Sequence, residues 1–202
     1  MSYQDLVDSV AETTKRPERQ TQIQRALAKA TLKIHLVDFW MRDIVEVKGD
    51  WTQNLAPRYE LDTEAKLPHF RKIAYLNGYD DLTDPAHPRV MQQFKETSPG
   101  KIRNDYNKMM IDVFYLAGRL ITCWAGTYMP PRFLCGYYVR PIVTPEGYNS
   151  WIAEMYPAAI TDEACAEVFG SVGDIDEAKR RRDMFMGNLQ IVRVNDVTAT
   201  GE

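Results

Sequence analysis

Between Pro17 and Trp40 the apolar residues Ile23, Ala26, Leu27, Ala30, Ile34, Val37 and Trp40 recur at helical spacing. They share one stripe, which predicts an α-helix over the whole segment, ~24 residues and ~36 Å long at ~1.5 Å per residue. Pro17 suits the first turn, where its missing N–H is not needed. The opposite face carries Arg19, Gln22, Arg25, Lys29 and Lys33 and is left for water or a partner. Upstream, Ser2 and Asp5 have the spacing of a capping box, and Tyr3, Leu6, Val7, Val10 and Ala11 keep the helical period. That first helix is expected to end near Thr14, before Lys15-Arg16-Pro17, so the two helices form a hairpin or corner.

After Trp40 the period changes from helix to strand. Asp43 to Val47 alternates, and Gly49-Asp50 reads as a turn. Tyr59–Leu61 and Phe70–Leu76 are short strand candidates, the second bounded by Leu67-Pro68 and Asn77-Gly78. Asp80 to Arg89 is a loop by composition. Val113–Leu116 and Arg119–Trp124 flank Ala117-Gly118 as a hairpin, and Phe133–Val143 is a further β-rich run in which Gly136 suggests a bulge. Helical patterning returns after Thr144-Pro145. One piece is capped at Asn149 or Ser150 and broken at Pro157, and a second runs from Ala158 to Gly170. A last helix opens at Gly173-Asp174 with the stripe Ile175, Ala178, Arg182, Phe185, Leu189 and Val192. Arg182 interrupts that seam, so it snorkels to an edge or meets a counter-charge.

The expected fold class is therefore α+β. Helices of residues 1–41 and 145–195 form one bundle, residues 42–144 form a β-rich insertion, and residues 196–202 form a flexible C-terminal tail.

A chain of 202 residues with 45% hydrophobic content suffices for one core, and a net charge of −3 does not suggest a nucleic-acid binder. Three cysteines without a CxxC pair fit free thiols in a reducing compartment. The acidic opening MSYQDLVDSV is unlike a signal peptide, and no apolar run approaches the ~20 residues of a membrane span. A soluble protein that is not exported is expected.

Chemistry is sought in several places and not found. Ser98-Pro99-Gly100-Lys101 contains GK, but Lys95 and Ile102 occupy positions where a phosphate loop needs Gly and Ser or Thr, which leaves a polar turn. His35, His69 and His87 fall in three different elements, and His35 reads as a hydrogen-bonded packing residue. Asp80, Asp81, Asp84 and His87 crowd one loop without the Gly and Glu of a calcium site, so a solvated acidic loop is expected. Cys123, Cys135 and Cys165 sit in apolar company, as buried inert thiols do. Tyr137, Tyr138, Phe114 and Tyr115, aromatic residues that could stack on bases, read as core or interface on β-rich runs. The basic residues from Lys15 to Lys33 and the run Lys179–Arg182 are interleaved with Glu18, Asp176, Glu177 and Asp183. A solvated face or subunit contact is favoured there over nucleic-acid binding. No catalytic residue, cofactor or metal ligand is assigned.

Four stretches, in order, nevertheless form a pattern. The first is YQDLVDSVAETTKRPERQTQIQRALAKATLKIHLVDFW, containing AxxKATLKxHxxDF. The second and third are LPHFRKIAYL and the hairpin FYLAGRLITCW. The last, WIAEMYPAAITDEACAEVFGSVGDIDEAKRRRDMFMGNLQIVRVND, has a helix broken at Tyr-Pro, a Gly-Asp turn and a long final helix. Together they reach across nearly the whole chain, which resembles the head–tail adaptor (connector) proteins of tailed bacteriophages. The resemblance implies a non-enzymatic virion protein of the neck, present in the host cytoplasm during assembly. Such adaptors form a homo-oligomeric ring, commonly of about twelve copies, below the portal protein. The ring extends the channel through which phage DNA passes without sequence-specific binding, and it offers a platform for a tail or nozzle protein. By that analogy the C-terminal segment from Arg193, with Val194, Asn195, Asp196 and Val197, is the portal-docking candidate, and the β insertion meets the tail. For lateral ring contacts, a basic face of Arg25, Lys29 and Lys33 could pair with acidic Asp80, Asp81 and Asp84 of a neighbour. The alternative is a DNA-binding module that uses the N-terminal helix pair, although Pro17–Trp40 is long and apolar for a recognition helix.

Overall fold

Ser2 starts the first helix as a capping box. Its Oγ accepts from the Asp5 N–H at 3.2 Å, and Asp5 Oδ2 accepts from the Ser2 N–H at 2.8 Å. The computed structural model of the chain describes residues 2–55, 57–82, 86, 89–102, 110–126 and 130–198, with the side chains of residues 197 and 198 set aside. Helix α1 spans Tyr3–Thr14 and ends on Lys15 in the left-handed region, at φ 54°. Pro17–Arg19 forms a 3₁₀ turn, and α2 spans Gln20–Val37. The helix predicted over Pro17–Trp40 is thus shorter at both ends. Asp38 is extended, and Trp40 folds back so that its Nε1–H donates to the Ile34 carbonyl at 2.9 Å, satisfying one of the helix's terminal acceptors.

Strands follow: β1 Ile44–Asp50, β2 Gln53–Leu55, β3 Arg58–Asp62, then the one-turn helix α3 Thr63–Lys66, β4 Phe70–Asp80, β5 Arg89–Glu96, β6 Val113–Ala117, β7 Leu120–Trp124 and β8 Arg132–Val139. Three helices close the chain: α4 Trp151–Met155, α5 Pro157–Ser171 and α6 Ile175–Thr198. The strands make one curled sheet, a half-barrel, in the order β1-β8-β4-β5-β6-β7-β3-β2, with only the β5–β6 pair parallel.

This corrects the expected fold class. The protein is a mixed α and β chain with six helices and an eight-stranded curled sheet among the described residues, not a helical bundle bearing a central β-rich insertion. The sheet rests on pairings between distant segments, such as β1 with β8 and β3 with β7, which a local period does not reveal. Asn77-Gly78 does not end β4, which continues to Asp80 through a register shift at Gly78/Tyr79. Gly49-Asp50 likewise lies inside β1. Gly136 sits under the Tyr75 ring, where an added Cβ would come within 2.2 Å of the ring edge, so only glycine permits that close approach.

Two compact units result: Met1–Arg42 with Arg140–Glu202, and Asp43–Val139. The β unit has its own core, in which Trp51 packs on Tyr59, Phe94 and Phe133 at ring distances of 5.2, 6.0 and 5.5 Å. The helical unit is built around α5, whose residues Ala159, Ile160, Ala164, Cys165 and Val168 are buried among side chains of α1, α2 and α6. Each fully buried Leu or Ile of that core contributes about 1.5–3 kcal/mol.

Candidate docking surface

The C-terminal segment Arg193–Val197 lies on the last turns of α6, helical where a flexible tail is expected to begin. Arg193 Nε donates to Asp38 Oδ2 at 3.1 Å, and Asp196, a buried residue, accepts from the Met41 N–H at 3.3 Å. These two bonds fasten the end of α6 to the chain leaving α2. Val194 and Asn195 are exposed, and Val197 belongs to the helix. Around this junction large apolar side chains face solvent: Val194 at 61%, Ile191 at 53%, Met41 at 50%, Phe39 at 45% and Val37 at 44%. Their concentration at one end of the helical unit makes that end a candidate docking surface. Behind it Trp40 is buried against Trp151 at 6.0 Å, and the Arg42 guanidinium lies over the Trp151 ring at 5.5 Å. His35 Nε2 and Ser150 Oγ are 2.9 Å apart in the core, and Ser150 also caps α4, so His35 joins α2 to α4.

Two buried carboxylates on α5 tie its neighbours to it. Asp162 Oδ1 accepts from Arg181 Nη1 at 2.8 Å and Asp162 Oδ2 from Asn188 Nδ2 at 2.9 Å, both on α6. Glu163 pairs with Lys33 of α2, whose ammonium lies 5.0 Å from the Phe185 ring centre. The residue singled out in the α6 seam, Arg182, is exposed and stands 4.0 Å from Glu167, while Arg181 takes the inner position. Sequence reasoning missed Asp162 and Glu163. The available signal was two adjacent acids in an otherwise Ala-rich apolar helix.

The lateral-contact candidates fall in different units. Arg25, Lys29 and Lys33 are on α2, with Lys33 bound to Glu163 and Lys29 Nζ 3.6 Å from Glu167. Asp81 is ion-paired with Arg132 at 3.0 Å, Asp80 is buried and accepts from the Leu82 N–H at 3.0 Å, and Asp84 lies outside the described residues. His87 also lies outside them. Among the described residues no three His, Cys, Asp or Glu side chains are placed to hold a metal ion, and no helix is long and apolar enough to cross a membrane.

No protein-family model matches the chain, and no curated protein matches it. The surface therefore has to be read from its own chemistry. Phe114 and Tyr137 are core residues of the sheet, and Tyr115 and Tyr138 are half-buried, so these four aromatics do not form an open stacking platform. The three thiols are buried and free. Burial pushes Cys165 up to about 11 and Cys135 to about 12, and lifts Cys123 well above the usual 9.0. A disulfide-exchange reagent at pH ~8 is therefore expected to leave the folded chain unlabelled and to titrate all three thiols on unfolding. Raised thiol values also mean stability that is present below pH 9.0 and is lost as pH climbs toward about 11 to 12, because only the unfolded chain ionises there. Fast labelling of the native protein at pH ~8 would contradict the buried placement.

Proposed function

We propose that the chain is a head-to-tail adaptor of a tailed-phage virion, a structural protein without catalytic activity. About twelve copies would form a ring below the portal protein, extend the DNA channel and seat the tail or nozzle protein. The observation that carries this reading is the apolar end of the helical unit. There Val194, Ile191, Val37, Phe39 and Met41 are exposed at the junction that Arg193 and Asp196 fasten. A monomer gains nothing by exposing this much apolar surface in one place, whereas a subunit that docks on a larger assembly uses it. Arg193 and Asp196 would position the segment, and Val194 would touch the portal. The order of the four resembling stretches supports the same assignment: they fall on α1–α2, the start of β4, the β6–β7 hairpin and α4–α6.

The test is the mass of the purified protein mixed with portal from the same phage. The expected result is a portal complex carrying about twelve copies, lost when Val194 and Ile191 are both changed to Asp. A protein that ignores the portal but retards labelled duplex DNA at ~150 mM salt would replace this reading with a DNA-binding module.

A further inference from the structure

The helical unit carries two faces of opposite charge on opposite sides of α5. Between α2 and α6 runs a groove of two adjoining hollows that share Glu167 and Ser171, the larger about 560 Å³. Arg25 and Lys29 of α2 form one wall, and Lys179 and Arg182 of α6 form the other. Four cations thus surround a single carboxylate, Glu167, which stands 3.6 Å from Lys29 and 4.0 Å from Arg182. Arg25 and Lys179 have no ion-pair partner among the described residues. The floor is apolar and shallow, with Ala26, Ala178 and Gly170.

The other face belongs to α1. Asp5, Asp8 and Glu12 are exposed and fall on one stripe, while Leu6, Val7, Val10 and Thr14 on the far side of the helix are buried. Asp8 and Glu12 meet no cation of their own subunit among the described residues. The side of α5 toward α1 is marked by Cys165, whose thiol lies near the Thr13 side chain, and by Phe169, which shares a hollow with Thr13 and Thr14. At about 100° per residue, Cys165 and Phe169 lie on the side of α5 opposite Glu167 and Ser171, which line the groove. The acidic stripe and the basic groove therefore point in opposed directions.

We infer that the basic groove between α2 and α6 receives the acidic stripe of α1 from a second copy of this chain, giving a head-to-tail contact. The charges match in number, three carboxylates against four cations that share one. The spacings match as well: Asp8 and Glu12 are ~6 Å apart along α1, as are Arg25 and Lys29 along α2. Because donor and acceptor faces are different surfaces, the contact is heterologous and propagates into a ring or filament instead of stopping at a dimer. It replaces Asp80, Asp81 and Asp84 by Asp5, Asp8 and Glu12 as the acidic side of the lateral contact. Its place in a virion rests on the adaptor reading; the contact itself does not, because it needs no portal.

The experiment is a charge swap read by sedimentation of the full chain at up to ~1 mM in ~50 mM salt, where weak ionic contacts are least screened. Wild type is expected to self-associate with concentration and to dissociate as salt rises. Arg25→Glu with Lys29→Glu, and separately Asp8→Lys with Glu12→Lys, should each weaken association roughly a hundredfold, since like charges then face each other. Mixing the two variants should restore it, because each reversed face then meets its complement on the other. All four positions are exposed, and an unchanged melting temperature for each variant checks that it is folded. A wild type that stays monomeric throughout, variants that associate like wild type, or a mixture that fails to assemble would each overturn the inference. So would loss of duplex-DNA retention in R25E/K29E without a change in mass, which would assign the groove to phosphate. If the variants still join the portal while the swap fails, the adaptor reading stands and only this interface falls.

Discussion

Arg181→Ala is expected to destabilise the helical unit by about 3 kcal/mol, while Arg182→Ala, one residue on, costs about 0.5 kcal/mol or less. The two arginines differ only in where the helix turns them. Arg181 is 19% exposed and bonds at 2.8 Å to Asp162, itself 6% exposed in its side chain. Truncating it leaves a carboxylate in the core with only the Asn188 amide, at 2.9 Å, to solvate it. An uncompensated buried charge costs about 3–5 kcal/mol, and the lower end applies because Asn188 remains and water reaches part of the site. Arg182 is 57% exposed and merely approaches Glu167 at 4.0 Å, a geometry that contributes little in water. In a chain of this size 3 kcal/mol corresponds to roughly 6–12 °C in melting temperature. Chemical denaturation followed by far-ultraviolet circular dichroism would read both variants. Replacing the pair together, Asp162→Leu with Arg181→Met, should recover most of the loss, since apolar residues of similar size often substitute for a buried pair. Equal losses for the two single variants would show that Arg181 is not the buried partner.

Trp40→Ala is expected to cost about 3–5 kcal/mol, the largest single truncation in the helical unit. Trp40 is 2% exposed, and its ring meets Trp151 edge to face at 6.0 Å, with His35 and Tyr156 on further edges of Trp151 at 6.1 and 6.4 Å. The alanine variant opens a cavity at the end of α2 and also returns the Ile34 carbonyl to an unsatisfied state. Trp40→Phe separates the two losses. It keeps most of the ring contact, gives up the Nε1–H bond, and should cost about 1–2 kcal/mol. Because Trp40 stands between exposed Phe39 and Met41 in the chain, the proposed adaptor role predicts that the alanine variant also weakens portal association more than its stability loss alone explains. A loss under ~1.5 kcal/mol for Trp40→Ala would mean that the cluster relaxes around the hole and that the end of α2 is not held by it.

Several elements are legible in the sequence alone. The α1 capping box, the breaks at Pro157 and Gly173-Asp174, and the β6–β7 hairpin around Gly118 all have their causes within a few residues of where they act. The positions facing the core of α2, from Ile23 to Ile34, also follow from a period that reports only which side of one helix is apolar. The expected bundle with an insertion did not survive, because the weight of the β unit comes from an eight-stranded order. Strands β2 and β5 were not foreseen: Gln53–Leu55 is exposed throughout, and Arg89–Glu96 is mostly polar, so neither has an apolar alternation to find. The tail was placed three residues early for a similar reason, since Asp196 looks solvent-bound until the Met41 N–H is brought to it.

By itself, then, the sequence determined where helices begin, which of their faces are apolar, and that its thiols sit in apolar company. Such properties depend on neighbours three or four positions away. Only the tertiary structure decided the strand order, that Arg181 rather than Arg182 turns inward, and that an acidic stripe and a basic groove lie on opposite sides of α5. Each of these depends on which distant segment arrives to pair with a group, and a turn of about 100° in one helix is enough to exchange a buried cation for an exposed one.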